Sequence, residues 1–267
     1  MGALHNGHLS LVDRAIKQSE LSVVSIFINP KQFSEGEDLA SYPKTLDNDI
    51  SMLRSAGLDV LFIPRKQSIY PDNFSTYVSE SLLSRTHEGS SRPDFFRGVT
   101  TVVFKLFNIV RPSFAFFGKK DFQQLLVIEK MVRDLNYAID IIRCDTVREP
   151  SGLAMSSRNN YFEKSSWSEL GLIHSALLEA KDLIKKNPND LLFVKKTLKK
   201  KLMDLANVLP KPLKLTDPSA SPLKIDYVDV CEKETLRKLE ILNKKAIILI
   251  AIWVYGIRLI DNVEVSF

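Results

Sequence analysis

Cysteine is scarce in this sequence: Cys144 and Cys231 are the two present. They share no metal-ligand spacing, and each sits inside an apolar alternating run. A disulfide framework and a zinc site are thereby excluded, and both read as buried, reduced thiols. Long apolar runs are also missing. The longest, Ala246 to Val254, is nine residues, too short to cross a bilayer as a helix. No charged-then-apolar segment opens the chain, so a cytoplasmic location is the expectation, with no membrane partner. Nor is there an acidic cluster with metal spacing, a Gly-x-Ser-x-Gly turn or a Cys–His pairing. No protein-held metal is therefore expected, and the usual nucleophile motifs are absent. What remains is an ordinary globular composition, 45% hydrophobic and 26% charged, in 267 residues, enough for one large or two modest cores.

The net charge of +5 does not mark a nucleic-acid binder. Eight lysines fall between Lys181 and Lys201, against Asp182 and Asp190, and the remainder of the chain is close to neutral. That segment also carries Leu183, Ile184, Leu191, Leu192, Val194, Leu198 and Leu202 at helical spacing. It reads as two amphipathic helices with a solvated lysine face, and no aromatic residues interleave for base stacking.

The opening stretch, Met1-Gly2-Ala3-Leu4-His5-Asn6-Gly7-His8, leads into Leu11, Val12, Ala15 and Ile16 at helical spacing. His8 therefore stands at or near a helix N-terminus, where unpaired backbone N–H groups and the positive end of the dipole suit phosphate. Leu21 to Ile28 follows as a buried strand and ends in the polar loop Asn29-Pro30-Lys31-Gln32-Phe33. Strands at Asp59 to Ile63, Phe114 to Phe117 and Ala138 to Val147 alternate with helices at Thr45 to Ala56, around Val102 to Val110, and after Asp121. Arg85 to Arg97 reads as polar loop, and Asp121 with Gln124 fits a capping box. This alternation predicts an α/β fold: a parallel sheet with helices on both faces. The pattern breaks at Glu149-Pro150-Ser151-Gly152, which places the domains at 1–149 and 150–267. The second, smaller domain is α+β, with lysine-rich helices, a Pro-rich connector over Leu209 to Pro222, and strands at Lys224 to Cys231, Lys245 to Val254 and Ile257 to Ile260 before an Asp261-Asn262 turn. His87 and His174 read as surface residues.

Four stretches gather donors to anionic oxygen: His5 to His8, Asn29 to Phe33, Gly118 to Gln124, and Met155 to Asn159. Such a set suits nucleotidyl transfer, which needs alignment and charge neutralisation more than covalent catalysis.

Met-Gly-Ala-Leu-His-Asn-Gly-His-Leu-Ser-Leu-Val, Ser-Ile-Phe-Ile-Asn-Pro-Lys-Gln-Phe, Phe-Arg-Gly-Val-Thr-Thr-Val-Val, Phe-Gly-Lys-Lys-Asp-Phe-Gln-Gln-Leu, Met-Ser-Ser-Arg-Asn and the terminal Arg258-Leu259-Ile260-Asp261-Asn262 resemble the pantothenate synthetases. The resemblance runs the length of the chain. It implies a Rossmann-like fold of the nucleotidyltransferase type with a C-terminal lid, and condensation of pantoate with β-alanine through a pantoyl adenylate. AMP and pyrophosphate are released, with Mg²⁺ accompanying ATP as substrate, and the protein is a homodimer. Carried over, ATP is held by Met1, Gly2, Ala3, Leu4, His5, Asn6, Gly7 and His8, by Gly118, Lys119, Lys120 and Asp121, by Val147, and by Met155, Ser156, Ser157 and Arg158. The catalytic assignments fall on His8 (the proton donor), His5, Lys120 and Arg158. Gln32 and Gln124 bind pantoate, and Gln32 also meets β-alanine. Arg92 approaches the substrate, while Arg97 anchors its loop.

Two departures stand out. The family has an acidic residue where this chain has Lys119, which adds positive charge beside the phosphates. The family also carries roughly thirty residues ahead of this start, enough for a first, central parallel strand. The expectation is that this start lies inside a longer product. The competing readings are an inactive nucleotide-binding remnant of the family and another nucleotidyltransferase of the same fold.

Overall fold

A computed structural model describes residues 2–33, 45–213 and 219–266. Met1 and part of the connector expected over Leu209 to Pro222 lie outside the described residues. The chain divides into two compact units, Met1–Asp145 and Thr146–Phe267.

The first unit is α/β. Helix α1 (Asn6–Gln18) leads to strand β1 (Val23–Ser25), then α2 (Leu46–Ser55) and β2 (Val60–Phe62). Three helices follow: α3 (Lys66–Ile69), α4 (Glu88–Ser91) and α5 (Phe95–Val110). Strand β3 (Phe114–Gly118), helix α6 (Phe122–Asp134) and strand β4 (Asp140–Cys144) complete it. The strands come as two parallel pairs rather than one continuous sheet: β1 with β2, in register Val23 to Val60, and β3 with β4, in register Phe114 to Asp140. Each pair brackets a helix, which is the crossover that parallel strands require. No strand is described over 63–113, so no strand in that stretch joins the pairs. Leu4 and Val12 pack with Ile26 and Leu53 on the β1 side, whereas Val99, Phe107, Ile128 and Met131 form the core on the β3 side. Helix α1 reaches the second pair through Arg14, whose Nη1 donates to the Arg143 carbonyl at 3.1 Å.

Two expectations for this unit are corrected. Arg85 to Arg97 is not all loop. It contains α4 and the first turn of α5, because Phe96 is 2% exposed and seeds the helix that Val99 and Val102 continue. Asp121 precedes α6 but makes no side-chain cap bond, so the expected capping box is not formed.

The second unit is α+β. Helices α7 (Trp167–Lys186) and α8 (Leu191–Asp204) pack against an antiparallel sheet of β5 (Lys224–Glu232), β6 (Ala246–Val254) and β7 (Ile257–Val265), in the order β5-β6-β7. Leu170, Leu177, Ile184, Leu191, Leu198 and Leu202 meet Ile248, Ile250 and Ile252 in one core. The amphipathic reading of the lysine-rich helices follows from this packing. Strand β7 does not end at Ile260, and Asp261-Asn262 is not a turn. Both residues lie within the strand and are buried, since Arg148 bonds the Asp261 carboxylate and satisfies it there. The first compact unit ends at Asp145 and the second begins at Thr146, four residues before the expected division at Glu149. Val147 accepts from Met155 N at 3.0 Å and Arg148 bridges Ala154, which makes 147–155 a hairpin of the second unit. Among the described residues no helix is long and apolar enough to cross a membrane.

The loop after β1 is pressed onto α5 at Gly98, where a Cβ would come within 2.0 Å of the Lys31 carbonyl oxygen. Gly98→Ala is expected to force loop and helix apart and lower unfolding stability by about 1–3 kcal/mol. Chemical denaturation is the measurement, and an unchanged midpoint would contradict the contact.

Candidate active site

Helix α1 begins at a turn that its own side chains and a distant carboxylate hold in place. Asp49, 1% exposed on α2, accepts from Leu4 N at 2.9 Å and from Thr45 Oγ1 at 2.9 Å. Gly2 lies against the same carboxylate with φ +122°, a conformation that glycine adopts without strain, and a Cβ there would stand 3.0 Å from Asp49 Oδ2. Ala3 and Leu4 are buried, so of the stretch assigned to ATP these two contribute backbone and core packing. Asn6 is exposed on the first turn, and the Gly7 carbonyl accepts from Ser10 Oγ.

His5 and His8 stack with ring centroids 3.9 Å apart, and His8 Nδ1 accepts from His5 N at 3.3 Å. Acceptance at Nδ1 places the ring proton of neutral His8 on Nε2, leaving that nitrogen as a donor. Burial lowers His5 to about 4, with the nearby Lys120 ammonium acting in the same direction and Asp121 against it. Burial also pushes His8 well below its ordinary value, with His5 and then Lys120 adding to the effect. Both rings are therefore neutral near pH 7. His5 Nδ1 is buried with no hydrogen-bond partner among the described residues.

Lys120 and Asp121 stand in the short turn Lys119–Asp121 that follows Gly118 at the end of β3. Lys120 Nζ is 3.9 Å from Asp121 Oδ2. Lys119 does not simply add charge, as the sequence suggests. Its Nζ bonds Asp145 Oδ1 at 2.7 Å, and that hydrogen bond and charge hold the Asp145 carboxyl below the usual carboxylate range. The structure thus brings His5, His8, Lys120 and Asp121 together, with Lys119 turned to a partner of opposite sign.

Gln32 closes the turn Pro30–Gln32, whose conformation is fixed from three sides. Asn29, 2% exposed, accepts from Tyr70 Oη at 2.9 Å and from Lys31 N, and donates to the Gly98 carbonyl at 3.0 Å. Burial pushes the Tyr70 hydroxyl up to about 12, the Asn29 hydrogen bond opposing. Arg92 donates to the Gln32 carbonyl at 2.9 Å, pairs with Glu88 at 2.9 Å and lies 3.9 Å from the Phe95 ring centroid. Arg97 pairs with Asp94 and stacks over Tyr77. Gln124 is on the first turn of α6, and its side-chain amide, like that of Gln32, bonds no partner among the described residues. Beside it Gln123 is buried, donating to the carbonyls of Leu83 and Thr86 and accepting from Glu88 N.

The second unit carries Val147 and Met155 to Arg158. Ser156 Oγ accepts from Arg158 N at 3.3 Å and opens the short turn Ser157–Tyr161, in which Ser157 is buried. Neither histidine read as a surface residue is one. His87 is 6% exposed with Nδ1 3.0 Å from Thr86 Oγ1, and His174 is half-buried beside Asp261. Sequence reasoning also missed the buried Asp49, Tyr70, Gln123 and Asp261 and the half-buried Arg148, polar groups whose partners are remote in sequence. Among the described residues no three side chains converge as a metal site.

The pantoate-beta-alanine ligase family model matches residues 1–264. The chain belongs to that family. As a pantoate–β-alanine ligase it is similar to the pantothenate synthetase of Thermosipho africanus, with 45% identity over 262 residues, 98% of this chain and 88% of that protein. The pantothenate synthetase of Moorella thermoacetica is 43% identical over 264 residues, again 98% and 88% of the two chains. Among solved structures, pantothenate synthetase from Thermus thermophilus superposes with a TM-score of 0.89 at 37% identity, covering 100% of this chain and 91% of that one. Pantoate-beta-alanine ligase from Francisella tularensis, solved complexed with beta-gamma ATP and beta-alanine, gives 0.74 at 32% identity, covering 99% and 87%. The ligase therefore has the Rossmann-like α/β fold followed by the α+β unit, and acts in pantothenate biosynthesis.

Neutral histidines have a consequence for stability. An unfolded histidine binds a proton below its ordinary 6.5, whereas the folded ligase resists protonation of His5 and His8 down to far lower pH. Their contribution is expected to be present above the ordinary 6.5 and to be lost progressively as pH falls through 6.5 toward about 4, the folded value of His5. A His5→Asn/His8→Asn variant should flatten that slope in thermal unfolding, and an equally steep slope in the variant would remove the histidines as its cause.

Proposed function

We propose that this ligase activates pantoate with ATP to an enzyme-bound pantoyl adenylate and then passes the acyl group to β-alanine. In the first step a pantoate carboxylate oxygen attacks the α-phosphorus. The bond from that phosphorus to the bridging oxygen breaks, and pyrophosphate leaves with the electron pair. In the second, the β-alanine nitrogen attacks the acyl carbon, the C–N bond forms, the acyl C–O bond of the mixed anhydride breaks, AMP departs with the bridging oxygen, and the amine loses a proton.

One observation carries this reading: two neutral imidazoles and the Lys120 ammonium converge where α1 starts. Backbone N–H groups, the His8 Nε2–H and a cation suit a polyphosphate, and charge spreading onto the pyrophosphate oxygens is what such donors stabilise. Proton donation from His8 is then hydrogen bonding by a neutral ring, with its charged form favoured only as phosphate charge builds beside it. Gly118, Lys119, Lys120 and Asp121 add to the first unit's ATP contacts in this reading, and His5 and Lys120 contact phosphate. Gln32 and Gln124, whose amides are unclaimed by the described protein, take pantoate, with Gln32 also reaching β-alanine. Val147 and Met155 to Arg158 are assigned to ATP on the second unit's own account, Arg158 as its cation. The ATP and β-alanine in the Francisella tularensis relative's crystal support the same substrates here. Mg²⁺ belongs to the reading as the ion that accompanies ATP, which phosphate oxygens and water coordinate without a protein cage. A homodimer in the cytoplasm completes it.

The test is AMP release from Mg²⁺–ATP and pantoate, with and without β-alanine. AMP forming stoichiometrically with pantothenate only in the complete mixture is the expected result. Folded protein that turns over no ATP, or consumes it without pantoate, would sink the proposal. Lys120→Ala should lower adenylation roughly 10²-fold, as for removal of a charge-stabilising donor, and wild-type turnover in that variant would take Lys120 out of the chemistry.

A further inference from the structure

We propose that Arg148, Asp261 and His174 are positioning residues that fix the Met155–Arg158 segment for ATP. This rests on the reading of that segment given above.

The segment starts at Met155, the outgoing end of the hairpin over 147–155, and runs into the turn Ser157–Tyr161. Arg148 stands on the incoming strand opposite Ala154, and Glu149 N donates to the Leu153 carbonyl at 2.8 Å. The Arg148 guanidinium is used on both sides. Its Nη1 donates to Asp261 Oδ2 at 2.7 Å and to the Gly152 carbonyl at 3.0 Å, while Nη2 donates to Asp261 Oδ1 at 2.9 Å and to the Asn262 carbonyl at 3.3 Å. A planar fork on a carboxylate sets orientation as well as distance, so the hairpin is held to β7 in one pose.

Asp261 is 7% exposed. Burial alone would raise its carboxyl, but the contacts with His174 and Arg148 bring it below the usual carboxylate range. His174, on α7, presents Nδ1 3.4 Å from Asp261 Oδ2. Its ring also backs onto the hairpin tip, where a Cβ at Gly152 would stand 3.1 Å from His174 Cδ2. Ser151 seats the tip on the same helix through Oγ to the Trp167 carbonyl at 2.9 Å. A Cβ at Gly171 would meet the Ser151 carbonyl oxygen at 2.3 Å.

Beyond the segment a second anchor takes over. Asn159, 1% exposed, donates from Nδ2 to the Ala154 carbonyl at 3.0 Å and from its backbone N to the Ser156 carbonyl, while its own carbonyl accepts from Trp167 Nε1. The four residues 155–158 are thus strung between two clamps, one ionic and one neutral. A buried ion pair is a poor source of net stability compared with apolar packing of the same volume. Its use here fits a demand for a fixed geometry at the residues it flanks.

The experiment compares Asp261→Asn, Arg148→Lys and His174→Gln with Arg158→Ala in steady-state kinetics for each substrate, with thermal unfolding to confirm folded protein. Arg158→Ala tests the underlying reading: unchanged ATP kinetics would end the segment's role, whatever the ion pair does. With Arg158→Ala impaired, Asp261→Asn and Arg148→Lys are expected to lower kcat/KM for ATP at least tenfold, with KM for β-alanine unmoved. In the Arg158→Ala background the Asp261→Asn effect should largely vanish, because it acts through that segment. Wild-type ATP kinetics in the folded single variants would overturn the proposal. So would effects that simply multiply with Arg158→Ala, or that fall equally on all substrates, since a general loss of structure does both. If Asp261→Asn fails to fold, Arg148→Lys and His174→Gln, which leave the Asp261 carboxylate in place, decide the matter by the same criteria.

Discussion

Two imidazoles kept neutral beside an ammonium are the constraint on which the first unit turns. The Lys120 charge disfavours protonation of both rings, and burial does so more strongly, so the start of α1 presents uncharged donors rather than a block of fixed cations. That state depends on the turn that buries the rings. The turn in turn depends on Asp49, which takes the Leu4 amide and leaves Gly2 no room for a side chain. Neutral rings and a single ammonium can pack together there without mutual charge repulsion. Lys119 obeys the same logic, since Asp145 neutralises it at the next position along the paired strands.

How much of this is legible in the sequence follows from how local each cause is. The helix after His8 is readable because Leu11, Val12, Ala15 and Ile16 repeat at its own period, and the α/β class because strand and helix patterns alternate in order. Asp49, Tyr70 and Asp261 give no such sign. Each is polar, buried and satisfied by a partner 41 to 113 residues away, and no periodicity reports that. The same reason hides the true end of β7. Asp261-Asn262 has turn composition, and only the guanidinium arriving from Arg148 makes it strand. His87 and His174 look like surface residues because isolated polar residues in polar stretches carry no burial signal of their own.

The resemblance locates the candidate residues, whereas the structure shows what braces them. Gln32 owes its place to Arg92 on its carbonyl, to Asn29 and Tyr70 behind it, and to the absence of a side chain at Gly98. Gln124 follows Gln123, which ties α6 to the chain before α4. Both glutamines thus extend from backbone that buried neighbours have fixed. Flexible amides on a rigid base suit the selection of a small polar acid.

Tyr70 gives this unit a second boundary, opposite to the one set by the histidines. Above the ordinary value of 10.0 an unfolded tyrosine sheds its proton, but the folded loop keeps Tyr70 neutral to about 12. Alkali therefore favours the unfolded chain through a phenol, just as acid favours it through two imidazoles. The loop after β1 and the turn at the start of α1, built from different residues, close the same window from its two ends.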